Sequence, residues 1–309
     1  MSLHTMITPD TEAIVTGAPL SRRRRQLRKA GESYGFLAPT LLLLFVLMIV
    51  PIVMVIGYSF QDRAVMGASS GFVGLANYVE VLSDPGFWKA TGNTLYFTGV
   101  SVAAHLVIGL TFAMLLNSTL IGVVPRAIFR ALYVLPWLFT AAVIAVLWRM
   151  LLAPNGIVNF LLTTDVEWLA SPQLALGTVT FVNIWAGYPF FMVSLLAGLQ
   201  GIPGELNEAA TVDGANGPQR FWNVTIPQLR PIIVSLLLLD FIWTSQQFAL
   251  IWMTTGGGPI DVTEVLSTFT YKLAFAQYDF AVAATSAVLV LLMSMVLAVL
   301  YVRHQKARD

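Results

Sequence analysis

From Phe36 to Phe60 the chain carries no charged side chain. About 20 apolar residues in a helix cross the hydrocarbon core of a bilayer. Only a helix or a closed barrel satisfies its backbone polar groups there. The run exceeds the roughly 7–15 apolar residues of a secretory signal core, so it reads as a first transmembrane helix, kinkable at Pro51 and Gly57. The same measure finds five more spans: Thr91 to Leu116, Ala131 to Trp148, Leu174 to Gly198, Ile232 to Met253 and Phe280 to Val302. With 57% hydrophobic and 11% charged residues, the chain has more apolar surface than a soluble domain of 309 residues can hide. The fold class expected is an all-α polytopic membrane protein with six transmembrane helices. Its permease-sized core is 34–303, its spans 36–60, 91–116, 131–148, 174–198, 232–253 and 280–302. A basic tail, 1–33, precedes it and a short C-terminus, 304–309, comes after it.

Lysine and arginine placement sets the orientation, because cytoplasmic loops collect them. With the N-terminus inside, the inner segments hold Arg22 to Arg25, Arg28, Lys29, Arg126, Arg130, Arg220, Arg230, Arg303, Lys306 and Arg308. Only Arg63, Lys89, Arg149 and Lys272 are left outside. Both termini and the loop 199–231 are therefore expected in the cytoplasm, and the basic tail reads as a membrane-adjacent anchor rather than a nucleic-acid site. Outside, Gln61 to Ala90 offers Phe72, Tyr78, Phe87 and Trp88 as interface anchors. Ala153 to Pro172 has room for a short surface helix, and Thr254 to Asp279 opens with Gly256-Gly257-Gly258-Pro259.

Several chemistries find no residues. A phosphate-cradling loop needs a lysine after glycine, and none of Lys29, Lys89, Lys272 and Lys306 comes directly after one. Cysteine is absent, which removes disulfides and thiolate chemistry. His4, His105 and His304 are not at metal-ligand spacing, and His105 reads as a packed or hydrogen-bonded helix residue. No catalytic residue, metal site or cofactor is expected in this chain, so any energy must come from a partner or an ion gradient.

The polar stretch Leu199 to Pro231 interrupts the apolar second half. Pro203 suits a first helical turn, Glu205 and Glu208 lie toward the positive end of that helix, and Asp213-Gly214 reads as its stop. Pro218 opens a second helix, which Pro227 and Pro231 are expected to close. A connector is usually about 2–8 residues. Two helices' worth of start and stop signals, with Leu206, Ala209, Ala210 and Asp213 at helical spacing, point instead to a docking element.

Asp240 is the sharpest signal within a span, since a charge there costs about 2.5–3.5 kcal/mol on insertion scales. Asp240, Trp243, Gln247 and Leu250 share one face of a continuous helix, with Gln246 beside it. Carboxylate, amide and indole suit a polyhydroxylated ligand; a polar patch bonding to a neighbouring helix fits equally. Asn183, Trp185 and Tyr188-Pro189 are weaker members of the same candidate path. The stripe Leu195, Leu199, Ile202 reads as core or lipid-facing.

Glu208-Ala209-Ala210, Asp213-Gly214-Ala215, Phe221, Val224, Ile226-Pro227 and Pro231 resemble the EAA loop of ABC importer permeases. That pattern has glycine four residues after the second alanine, then Ile-x-Leu-Pro. Here Gly214 and Val224-Thr225-Ile226-Pro227 stand in those places, aliphatic for aliphatic. Thr255-Gly256-Gly257-Gly258-Pro259, Thr263, Tyr271, Ala274-Phe275, Asp279 and Ala283-Ala284 are similar to the carbohydrate branch of the family, of the MalF/UgpA-like six-helix type. The resemblance covers most of 34–303. It implies the type I ABC importer permease fold in a bacterial cell membrane, one half of a channel completed by a second homologous permease. Two copies of an ATPase subunit, which would carry ATP and Mg, and an extracytoplasmic solute-binding protein complete the implied assembly. Glu208, Ala209, Ala210, Asp213, Gly214, Ala215, Phe221 and Pro227 would then couple to the ATPase, and the cargo would be a mono-, di- or oligosaccharide. The alternatives are a secondary transporter titrating Asp240, an importer of polyols or glycerol phosphate, and a polytopic membrane enzyme.

Overall fold

The computed structural model describes residues 37–62, 71–118 and 121–306. The basic tail with Arg22 to Arg25, together with Arg63 and Arg308, lies outside the described residues. The chain divides into two units between Met54 and Val55. The first span, α1 (Leu37–Tyr58), is helical with a π-helical turn at Phe45–Ile49. Pro51 explains the turn: it has no N–H to close the ladder, and its ring crowds the preceding turn. Val50 N–H reaches back to the Phe45 carbonyl instead.

In the second unit the elements are α2 (Ala76–Ser83), α3 (Pro85–Asn117), α4 (Val123–Leu138), α5 (Ala141–Leu151), α6 (Ile157–Leu162) and α7 (Ala175–Gln200). They continue with α8 (Gly204–Val212), α9 (Gly217–Ser245), α10 (Ala249–Thr254), α11 (Leu266–Phe275) and α12 (Phe280–Lys306). Among the described residues, four helices are long and apolar enough to cross a membrane: α1, α3, α7 and α9. The bent pair α4–α5 makes five if it counts as one span, and Phe280–Val296 of α12 is a shorter apolar stretch. The expected six is thus approached only by counting both of these.

The core is α3 against α7. Ala113, Leu116, Phe191, Met192, Leu195 and Leu199 form its buried centre, with Leu229 and Leu236 of α9 closing it. Lipid is as apolar as leucine, so packing in a membrane relies on small residues that let backbones meet. Gly109 supplies that here: a Cβ on it would lie 2.5 Å from the Phe191 Cβ and 2.9 Å from the Met192 backbone nitrogen. Gly198 does the same toward Leu229 and Ile232. The stripe Leu195, Leu199, Ile202 belongs to this core, the first two buried and the third packed against it.

Three expectations need correction. Ala131 to Trp148 is not one straight span: α4 and α5 meet at 100°. α4 ends at Leu138, two residues past Pro136, Phe139 is extended, and Thr140 caps α5 by accepting from the Val143 N–H. The stretch Ile232 to Met253 is not one helix either. It stops at Ser245 and resumes at Ala249. Ser267 Oγ binds the Gln247 carbonyl at 2.9 Å, and Phe248 is drawn into a cluster with Trp252 and Tyr271. Finally, the second span starts before Thr91: α2 covers Ala76–Ser83, and Asp84 accepts from the Gly86 N–H and caps α3 at Pro85. That places Phe87 in the core at 2% exposure, packed on Phe269, so it is not an interface anchor.

If the α3–α7 contact sets the bundle, Gly109→Val should destabilise the purified protein by about 1–3 kcal/mol, the usual cost of overpacking. Thermal unfolding in detergent measures this. The same change at Gly99, around which nothing lies within 4 Å, should leave the transition nearly unmoved.

Candidate functional site

The polar stretch 199–231 forms two helices separated by a turn at Gly214. Pro203 stands just before α8 rather than in its first turn and makes no capping bond, and Glu205 sits in that first turn. The helix ends in a Schellman motif: the Ala215 N–H donates to the Ala210 carbonyl at 2.9 Å and the Gly214 N–H to that of Thr211 at 3.0 Å. Gly214 has φ +81°, a conformation that costs a side-chain-bearing residue dearly. Asn216 and Gln219 then form a reciprocal capping box at the start of α9, with Pro218 in the first turn. The Arg220 guanidinium binds Thr211 Oγ1 at 2.9 Å, tying the two helices together. No residue of α8 or of Gly217–Thr225 is buried.

Pro227 and Pro231 do not close the second helix. A π-helical turn at Phe221–Thr225, closed by the Ile226 N–H to the Phe221 carbonyl, absorbs the missing donor of Pro227. Pro231 lies inside the helix, where Ser235 Oγ donates to its carbonyl at 2.9 Å. The result is one unbroken helix, Gly217–Ser245, running from the polar loop into the bundle.

A cavity of about 270 Å³ lies where α3, α4, α5, α7, α9 and α10 converge. Asp240, at 7% exposure, is its charged group. Its Oδ2 is 2.7 Å from His105 Nδ1, and Thr244 Oγ1 donates to its Oδ1 at 3.2 Å. The second ring nitrogen of His105 lies 3.2 Å from the Asn183 carbonyl. Gly187 makes space for the imidazole, since a Cβ there would meet the ring at 2.4 Å. The Asn183 amide nitrogen is buried without a partner among the described residues. Trp243 and Trp137, half-exposed, flank Phe190 at 5.7 and 5.8 Å between ring centroids. Donors, acceptors and ring faces in one concavity suit a polyhydroxylated solute.

Asp240, Trp243, Gln247 and Asn183 therefore share this wall, as does Leu250. The helical face drawn through them is not the cause, because the chain breaks between Ser245 and Ala249; the fold of α10 returns Gln247 and Leu250 to the same cavity. Two candidates are not brought in. Gln246 is exposed outside the wall, and Tyr188 is buried on the other flank of α7 against Phe112. Sequence reasoning does not single out His105, Trp137, Phe190 or Thr244 for the path. Partners from distant segments carry no local pattern.

Residues 105–308 match the family model of the binding-protein-dependent transport system inner membrane component. This chain belongs to that family. It is 35% identical to a probable ABC transporter permease protein, y4oQ, of Sinorhizobium fredii, over 87% of this chain and 88% of that one. It is 32% identical to the trehalose/maltose transport system permease protein MalF of Thermococcus litoralis, over 91% and 96%. Among solved structures, a bacterial ABC transporter involved in the import of the acidic polysaccharide alginate has the same fold. Its TM-score is 0.81 at 22% identity, covering 93% of this chain and 99% of that one. The chain is thus a multi-pass inner-membrane permease component of ABC importer fold.

A second polar cluster in this permease sits in the loop after α10. Lys272 bridges Asp261 at 2.7 Å and Glu264 at 3.1 Å, and Lys89 holds the Ile260 carbonyl at 2.8 Å. Burial, then the Asp261 hydrogen bond, push the Glu264 carboxyl up to about 7, with Lys272 opposing. The Lys272 hydrogen bond holds Asp261 below its ordinary range. Glu264 titrates higher when folded than unfolded, so its contribution to stability is full below about 4.5 and is lost as pH rises through about 7. Asp261 acts in the opposite sense, but below that window. Hydrogen-exchange protection of residues 256–272 should fall between about pH 5 and pH 8. Glu264→Gln should flatten that dependence.

Proposed function

We propose that this chain is a permease subunit of an ATP-driven, binding-protein-dependent carbohydrate importer, and that it forms half of the translocation path. The observation that carries the reading is the unbroken helix Gly217–Ser245. One end belongs to an exposed, apolar-tipped polar loop, with Val212 at 87% and Trp222 at 65% exposure. The other end carries Asp240, Trp243 and Thr244 into the cavity wall. A continuous helix between a docking surface and a cavity is what alternating access requires of a bundle driven by a partner, and this sequence has no glycine-lysine phosphate loop.

The ATPase, in two copies with ATP and Mg, would seat on α8 and on Gly217–Thr225 from the cytoplasmic side, where the lysine and arginine bias puts this loop. Glu208, Thr211 and Arg220 line a shallow depression between the two helices that would take a side chain of the partner. A second homologous permease would close the cavity, and an extracytoplasmic solute-binding protein would deliver cargo. The trehalose/maltose name of one relative and the mixed polar and aromatic wall support a sugar. No lysine or arginine lines the cavity, so phosphate-bearing cargo finds no counter-charge. Ion-driven transport through Asp240 is not favoured, because both carboxylate oxygens already have protein partners.

Gly214→Asp should disrupt the turn between the helices, and Glu208→Lys should reverse the charge of the docking face. Each should abolish sugar uptake in proteoliposomes of the assembled transporter while membrane insertion stays normal. Stimulated ATP hydrolysis equal to that of the native complex in both variants would overturn the coupling assignment. Ligand screening of the companion binding protein would identify the cargo.

A further inference from the structure

The buried pair His105–Asp240 has a proton count that its surroundings fix. A neutral imidazole donates through one nitrogen and accepts through the other. Here both nitrogens face acceptors: a carboxylate oxygen at 2.7 Å and a backbone carbonyl at 3.2 Å. With a neutral ring beside an ionised Asp240, one ring lone pair would point at an acceptor lone pair in a buried site, at 1% exposure for His105. The conflict is removed by one further proton on the line between Nδ1 and Oδ2. Whether it rests on nitrogen or oxygen, the pair's net charge is zero. A lone carboxylate in a span would be costly. Of the other residues lining the cavity none is Lys, Arg, Glu or a second Asp, so no other side chain supplies the compensation.

We propose that His105 is a positioning residue for solute selection. Through this shared proton it keeps Asp240 electrically silent, so that the cavity wall meets the solute as an uncharged hydrogen-bonding surface. The proposal rests on the carbohydrate reading and narrows it to neutral sugars. Oδ1, held by Thr244, remains an acceptor for a sugar hydroxyl, and the Asn183 amide is a donor with no protein partner among the described residues. A wall of this kind neither draws an anionic sugar nor rewards a cationic one. Gly187 is part of the device, because any side chain there would expel the ring.

The test uses the complete assembled transporter in lipid nanodiscs with D-glucose, D-glucosamine and D-glucuronate as probes, at a pH where the amine is protonated. Saturation-transfer NMR reads their competition, and cavity binding is defined as the signal that Trp243→Ala removes. The native protein should prefer glucose to both charged probes. His105→Gln strands the carboxylate, and glucosamine should then gain about tenfold relative to glucose. The double variant His105→Gln with Asp240→Asn should restore the native order. Should His105→Gln not assemble, Asp240→Asn alone decides: an unchanged order supports a silent pair, and a loss of glucosamine shows a bare charge in the native wall. Glucose binding that needs Trp243, with the same ranking in His105→Gln as in the native protein, overturns the proposal and leaves the carbohydrate reading standing. No Trp243-dependent signal from any probe overturns both.

Discussion

The contact on which the rest of this molecule depends is the close approach of α3 to α7. In water, apolar side chains are driven together by what they leave behind. In lipid that drive is missing, and helices hold by fit and by polar bonds. Gly109 supplies the fit, letting Phe191 and the Met192 backbone come against α3. Gly187, about one helical turn from Phe191 along α7, supplies the room in which the imidazole of His105 turns toward Asp240. The functional wall is therefore a consequence of the packing contact. The carboxylate itself comes from a third helix, α9, whose own approach to α3 brings Asp240 to His105.

The parts legible in the sequence are those whose cause is local. The Schellman stop at Gly214, the capping box opened by Asn216 and the helix between Pro203 and Asp213 each depend on residues within a few positions, and proline and glycine mark them. The bends are harder. Pro136 lies two residues before the end of α4, while Pro231 and Pro189 lie inside helices that continue well past them. For Pro136 and Pro231 the difference lies in the downstream residue. Beyond Pro136 comes Thr140, which caps a new helix, whereas beyond Pro231 comes Ser235, whose hydroxyl bonds back to the carbonyl four residues earlier, as serine does inside a continuing helix, and caps nothing. Proline alone does not decide.

The cavity is only half legible for a different reason. Asp240 stands out because a charge among leucines is expensive, but its partner, taken alone, reads as an ordinary packed histidine. Nothing near His105 in sequence points to a residue 135 positions away. Periodicity places Gln247 and Leu250 correctly, but on an incorrect helix. The chain breaks after Ser245, and the pull of Ser267 and of the Phe248, Trp252 and Tyr271 cluster folds the next turn back. A face drawn by periodicity and a wall made by a broken helix yield the same neighbours from different geometry.

That break also bears on how force passes through the subunit. Gly217–Ser245 is one continuous helix whose π-helical turn is closed by its own hydrogen bond, so under the proposed coupling a displacement at the polar loop would reach Thr244 along a single element. Beyond Ser245 the ladder is interrupted, and α10 is held instead to α11 by aromatic contacts, with one serine hydroxyl of α11 on the Gln247 carbonyl. Movement of Gly217–Ser245 would then shear Asp240, Trp243 and Thr244 past the more static residues of α5 and α10, opening or closing one side of the cavity while the other keeps its place. A single straight span would have moved both sides together and left the cavity unchanged in shape. Under the proposed coupling, continuity up to the cavity and discontinuity just beyond it are thus two halves of one mechanical requirement.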